Sequence, residues 1–241
     1  MARKNRAKIG LGDGGEGIIE RSVECAQKEG FADLEIFDDA QRLVAALKNG
    51  NIEAAVRGTL EAKTVLDALK SKFGVEKILR IAFLMMEDVR LVLLAPGGID
   101  EGDSIEEKLE LITRGCELLG KFNVEPKVGV LSGGRLEDFG RGLKIDETLT
   151  QGEELTRLAL EKGIRTEHFG ILLENALKES NIVISPDGIS GNLIFRALHF
   201  FGGVKGMGAP VVNIHKVFVD TSRAKKDYLN SISLASALCG L

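Results

Sequence analysis

Short apolar runs ending in glycine- or serine-rich turns, each followed by a helix-patterned segment, recur along this chain and confine it to the α/β class. Ala7 to Leu11 reads as a first strand. Ile18 to Lys28 reads as its helix, with Ile18, Ile19, Val23 and Ala26 as the apolar positions. Leu34 to Phe37 is a second strand, followed by a helix over Gln41 to Lys48 that Asp38 or Asp39 caps. An Asp just before an apolar-periodic segment marks a helix start, because its carboxylate accepts an otherwise orphaned first-turn N–H. Ala54 to Val56 is a third strand, and Thr59 to Lys72 the next helix. This β-α-β-α-β-α order predicts parallel strands joined by crossovers.

The pattern breaks once. Ile78 to Met86 and Val89 to Ala95 are apolar runs joined by Glu87-Asp88, which predicts an antiparallel hairpin closed by Pro96-Gly97-Gly98. Ser104 with Glu107 three residues on forms a capping box that opens a helix to about Phe122. Lys127 to Leu131 is a strand running into Ser132-Gly133-Gly134-Arg135. Gly140 to Thr150 is polar and irregular and reads as a mobile loop. Glu153 to Lys162 and Gly170 to Lys178 read as helices, Ile182 to Ser185 as a strand, and Ser190 to Phe200 as its helix. Gly202 to Gly208 reads as a loop before a strand near Pro210 to Ile214, and Asp227 to Leu238 as the closing helix. The expected architecture is a doubly wound, mostly parallel sheet with one antiparallel hairpin. Residues 1–75 and 190–241 would form a first lobe and 76–189 a second, with a cleft between the lobes.

Composition narrows the function classes. With 44% hydrophobic and 28% charged residues the chain has the profile of a soluble globular protein. A net charge of -4 supplies no basic field for nucleic acid, and one Tyr with no Trp leaves no base-stacking platform. The basic cluster Arg3, Lys4, Arg6 and Lys8 has no apolar stretch behind it and does not read as a signal peptide. No window reaches the roughly 18 apolar residues of a membrane helix. Cys25, Cys116 and Cys239 are widely spaced and fit buried packing in a reducing cytoplasm. His168, His199 and His215 are scattered without partners at ligand spacing, so no metal site is expected.

Candidate sites fall at strand ends, where open α/β sheets bind ligands. Gly10-x-Gly12-x-x-Gly15 and Gly12-x-Gly14-x-x-Gly17 match a dinucleotide fingerprint, and Asp38 stands where a ribose-binding acid would. Gly12, Gly14 and Gly15 are therefore cofactor candidates, although Asp13 and Glu16 put negative charge where a pyrophosphate would lie. Arg57-Gly58-Thr59 places a cation and a hydroxyl at a strand end. Ser132-Gly133-Gly134-Arg135 offers backbone N–H groups and a guanidinium to an anion. Asp187, Ser190 and Asn192 flank a Pro-Asp-Gly turn, where they either line a pocket or cap the next helix. Gly188-Ile-Ser-Gly191 lacks the spacing of a nucleophile elbow.

Four of these blocks resemble the phosphate acetyl/butyryltransferase family in the same order. They are Arg57 to Leu66, Lys127 to Ser132, Ile184 to Asn192 with the later Gly208-Ala-Pro210, and Asp220-Thr-Ser-Arg223. Compact length makes the chain most similar to a methanogenesis-linked archaeal branch described as a methyltransferase subunit. The family's long segment between the second and third strands and its acidic Asp-Gly-x-Leu-Gln-x-Asp motif are absent. The resemblance implies a phosphate acetyltransferase-like fold, shared with isocitrate and isopropylmalate dehydrogenases. It places Ser222 and Arg223 beside an acyl thioester and phosphate. Asp227 matches the family's further Asp if the loop is about two residues shorter. The resemblance implies a small anionic substrate such as phosphate or a coenzyme A thioester, a homodimer, and no resident cofactor. The alternatives are a methyltransferase subunit working with other subunits in a corrinoid or pterin system, and a metabolite-binding regulator without catalysis.

Overall fold

The structure, a computed structural model, describes residues 6–15, 17–222 and 227–240. Two compact units make up the chain: 1–78 with 207–241, and 79–206.

The first unit opens with β1 (Ala7–Gly12), α1 (Glu20–Glu29), β2 (Ala32–Phe37), α2 (Ala40–Asn49), β3 (Ala54–Val56) and α3 (Ala62–Phe73). β1 pairs in parallel with both β2 and β3. Asp39 caps α2 by accepting from the Arg42 N–H at 2.8 Å, and Gly50 ends the helix at φ 77°, a backbone conformation open chiefly to glycine. Leu43, Val44, Leu47, Ile52, Leu69 and Phe218 form the centre of this unit's core.

The second unit runs through β4 (Ala82–Met85), β5 (Leu91–Ala95), α4 (Ile105–Lys121), β6 (Val128–Leu131), α5 (Leu143–Glu161), β7 (Thr166–Gly170), α6 (Leu173–Glu179), β8 (Ile182–Ile184) and α7 (Gly188–Phe200). β5, β8, β6 and β7 form a parallel series in that order, and β4 joins β5 antiparallel. Ser104 caps α4 by accepting from the Glu107 N–H at 3.2 Å, and the Glu107 carboxylate accepts from the Gly102 N–H at 3.0 Å. β9 (Lys205–Pro210) returns the chain to the first unit, where it pairs antiparallel with β10 (Val217–Asp220). β10 lies parallel to β3, and α8 (Leu229–Cys239) closes the chain.

Several sequence expectations are revised. Thr59 precedes α3 rather than opening it, because the helix begins at Ala62. The hairpin turns over three residues, Glu87 to Val89, with Val89 left-handed at φ 65° and the Met86 N–H donating to Arg90 O. α5 starts at Leu143, so most of the expected loop is helix. Its buried stripe of Thr148, Leu149, Gly152, Leu155 and Ala159 keeps helical spacing, but Thr and Gly dilute the apolar signal. Thr166 to Gly170 is a strand where no element was expected before Gly170, and α6 begins at Leu173 rather than Gly170. The glycine-rich stretch is itself strand β9: a Cβ on Gly208 would lie 2.5 Å from Val219 Cγ1, so the neighbour already fills that side-chain space. β10 was not foreseen. α7, expected with the first lobe, belongs to the 79–206 unit.

Candidate functional site

In the first unit the carboxyl ends of β1, β3 and β10 meet. Arg57, 4% exposed, donates through Nε to Asp220 Oδ1 and through Nη1 to Leu60 O at 2.7 Å. Asp220 Oδ1 also accepts the Thr221 N–H at 2.8 Å, and Thr221 Oγ1 donates to Gly58 O at 3.0 Å. These bonds pin the start of the Asp220–Arg223 loop to the β3 turn. Ser222 follows them, half-buried. Arg223 lies outside the described residues. Asp227 Oδ1 accepts from Ser22 Oγ at 3.0 Å and from the Leu229 N–H at 2.7 Å, which makes it an anchor between α1 and α8.

Arg57 is therefore not an open anion ligand, because its guanidinium is committed to Asp220. The glycine loop after β1 is also internally braced. Gly14 N–H donates to Thr59 Oγ1 at 2.7 Å, Gly15 N–H donates to Asp13 Oδ1 at 3.0 Å, and Thr59 Oγ1 donates to the same Asp13 oxygen at 3.1 Å. With a carboxylate as the loop's own acceptor, Gly14 and Gly15 do not present their N–H groups to a pyrophosphate. Gly12 has a packing role: a Cβ there would sit 2.3 Å from Arg57 O. Gly58, at φ 60°, has Gly12 O only 1.9 Å from where a Cβ would be. The two turns lie backbone against backbone.

The second unit gathers polar groups at the carboxyl ends of β6, β7 and β8. Ser132 follows β6. Its N–H donates to Gly170 O at 2.9 Å and its Oγ to Gly134 O at 3.2 Å, with His168 Nε2 3.0 Å from Oγ. Which of Ser132 Oγ and His168 Nε2 donates is set by the imidazole tautomer; a nucleophile–base pair needs Oγ to donate. Burial holds the His168 imidazole below its ordinary pKa of 6.5, opposed by the Glu153 carboxylate. His168 escaped the sequence reading because β7 did.

Within the expected anion nest at Ser132 to Arg135, the Ser132, Gly133 and Arg135 N–H groups are already engaged. Gly133 N–H donates to Thr148 Oγ1 at 2.9 Å and Arg135 N–H to Asp138 Oδ2 at 2.9 Å. Gly134 is a packing glycine, with Ile145 Cγ2 2.8 Å from the place of a Cβ. At the end of β8, Asp187 caps α7 by accepting the Ser190 N–H at 2.7 Å. Asn192 is half-buried in the first turns of that helix. The capping bond weighed for Asp187 is formed. Gly188 and Gly191 let α7 approach the loop after β5, since Cβ atoms there would stand 2.0 Å from Gly98 O and 2.5 Å from Pro96 O. That loop is itself held by a buried pair, Arg80 Nε to Glu101 Oε1, with Arg80 N–H donating to Glu101 Oε2 at 2.8 Å. Burial raises the Glu101 pKa despite Arg80.

Lys108 of α4 lies in the same unit. It is 3% exposed and donates through Nζ to Gln151 Oε1 at 3.1 Å. The cysteines are free and half-buried rather than fully buried, and burial raises the Cys116 and Cys239 thiols to about 11.

Comparison with known proteins gives the class first. The chain is similar to a branched-chain phosphotransacylase from Enterococcus faecalis, with a TM-score of 0.76, 17% identity, and coverage of 96% of this chain and 99% of that one. It is similar also to the EutD phosphotransacetylase from Staphylococcus aureus, with a TM-score of 0.71, 14% identity, and coverage of 97% and 94%. The fold is that of the phosphotransacylases. In sequence, a Methanosarcina mazei protein described as "Putative methyltransferase mtx subunit X" is 44% identical over 261 residues, covering 100% of this chain and 93% of the relative. The chain belongs to that family of mtx subunit X proteins. No family model matches it. Both the family resemblance and the fold read from the motifs are met. Among the described residues no helix is long and apolar enough to cross a membrane.

Proposed function

We propose that this protein is a group-transfer enzyme acting on an anionic acyl or phosphate compound, with Ser222 and Arg223 at its reacting site. The observation that carries the reading is the buried Arg57–Asp220 pair and the Thr221–Gly58 bond, which hold the base of the Ser222 loop at a strand end in a phosphotransacylase fold. A rigid base is what a positioning loop needs, since catalysis by orientation fails when the reacting groups wander.

In the acyl version, Arg223 holds phosphate against the carbonyl carbon of a thioester. A phosphate oxygen bonds to that carbon, Ser222 donates a hydrogen bond to the developing oxyanion, and the C–S bond breaks. The sulfur leaves and takes up a proton, giving an acyl phosphate and a free thiol. Arg57 contributes by fixing Asp220 rather than by touching substrate. Phosphate-dependent thiol release from short acyl-coenzyme A compounds tests this reading. Wild type should turn over and Arg223→Ala should lose about 3 kcal/mol of transition-state stabilisation. No release across short acyl chains would sink it.

A second reading is methyl transfer as a subunit of a larger system, and the description of the Methanosarcina mazei relative supports it. Tight binding of S-adenosylmethionine by calorimetry, without thiol release in the first assay, would favour this reading over acyl transfer.

A further inference from the structure

We propose that the 79–206 unit carries an oxyanion-binding site centred on Lys108, built from residues other than those of the Ser222 loop. Lys108 projects from the first turns of α4 and is 3% exposed. An ammonium has three N–H donors. Among the described residues, one of them reaches the neutral amide oxygen of Gln151, and Lys108 forms no ion pair. Asp187, Asp103 and Glu147 attract it through space and Lys144 repels it, but none closes to contact. Buried charges in folded proteins are normally paired, because removing an ammonium from water costs far more than one neutral hydrogen bond returns. Burial accordingly depresses the Lys108 pKa.

What surrounds the ammonium indicates what it is for. It borders a recess of about 10 Å³, room for one water-sized group, lined also by Val130, Leu131, Thr148, Ser185 and Pro186. Leu131 ends β6 and Ser185 follows β8, so the recess sits at the carboxyl ends of parallel strands, where α/β sheets bind ligands. The neighbouring hydroxyls are already committed. Ser185 Oγ shares its one proton between Asp187 O at 2.9 Å and Ala95 O at 3.2 Å, and Thr148 Oγ1 donates to Ile145 O at 2.9 Å. The remaining Lys108 N–H groups are the donors left for a guest. A space of that size takes one oxygen, not a whole phosphate. The ligand is therefore a carboxylate or phosphate group that inserts a single oxygen and keeps its remainder at the mouth.

Thermal unfolding of the full chain tests this, with inorganic phosphate or acetate against chloride at matched ionic strength. The parent is the Arg223→Ala chain, which lacks the phosphate grip of the proposed reacting site, and Lys108→Met and Ser222→Ala are made in it. At least one of the two anions should raise the parent's Tm by about 3 °C when it stands several-fold above its dissociation constant. Comparing phosphate with acetate identifies which oxyanion the recess prefers. Ser222→Ala should keep the rise and Lys108→Met should lose it. Without anion, Lys108→Met should melt at or above the parent, because an unbranched apolar chain replaces the buried charge. Three results would overturn the site: no rise with either anion, a rise that survives in Lys108→Met, or an anion-free Lys108→Met that melts below the parent. Failure of thiol release with these results intact would count against the Ser222 reading alone.

Discussion

Arg57 illustrates how one side chain can be legible in type and misread in direction. A cation at a strand end before a helix is a fair anion ligand, but its partner, Asp220, comes 163 positions later in the chain. Removing the guanidinium would break this buried ion pair. Arg57→Ala should therefore cost about 3–5 kcal/mol, read by urea unfolding. A loss below 1 kcal/mol would mean that the pair does not hold the loop. Gly152 makes a second case. A Cβ there would lie 2.5 Å from His168 Nε2. Gly152→Ala should push the ring off Ser132 and cost about 1–3 kcal/mol, despite the better helix propensity of Ala. An unchanged or raised stability would contradict this. His168 also sets a pH dependence. Its folded pKa lies below 6.5, so the unfolded chain binds the proton first. The stability it contributes is complete above 6.5 and is lost as pH falls through the folded value. His168→Gln should flatten that slope in unfolding curves taken between pH 7 and pH 5; an unchanged slope would assign it to other groups.

At the scale of elements, local chemistry was readable wherever neighbours in sequence were enough to decide it. Asp39 before α2 and Ser104 before α4 are local, and both N-caps stand as expected, with the Glu107 carboxylate accepting from the Gly102 and Asp103 N–H groups. Asp39→Ala should cost about 1 kcal/mol by the same unfolding measurement, and no change would mean that the cap carries no net stability. Elements whose signal depends on distant neighbours were lost. β9 contains Gly206 and Gly208 because Phe195 and Val219 occupy the space where side chains would go. α5 hides its start because Thr148 and Gly152 sit in its buried stripe to serve Gly133 and His168. The candidate sites divide in the same way. The ends of β1, β3, β6 and β8 were located and that of β10 was not, and the sequence could not reveal that Asp13, Thr59, Thr148 and Asp138 already accept from the Gly15, Gly14, Gly133 and Arg135 N–H groups.

For the whole molecule, family and fold agree, while the homodimer remains an inference from resemblance. We propose that a homodimer would form through α7, whose only Lys or Arg is Arg196 and whose exposed apolar side chains include Ile189 and Leu193, with Phe200 and Phe201 at its end. A stable dimer hides about 800 Å² per protomer, and large apolar residues supply most of such a core. Leu193→Glu should give a monomer by light scattering. An unchanged mass would move the interface elsewhere.

The central claim is that chemistry happens at the loop after β10. A crystal structure grown with a non-hydrolysable acyl-coenzyme A analogue and phosphate tests it most directly. The acyl oxygen should lie within hydrogen-bond distance of Ser222 Oγ, with the phosphate against Arg223. Analogue and phosphate both bound away from that loop would contradict it.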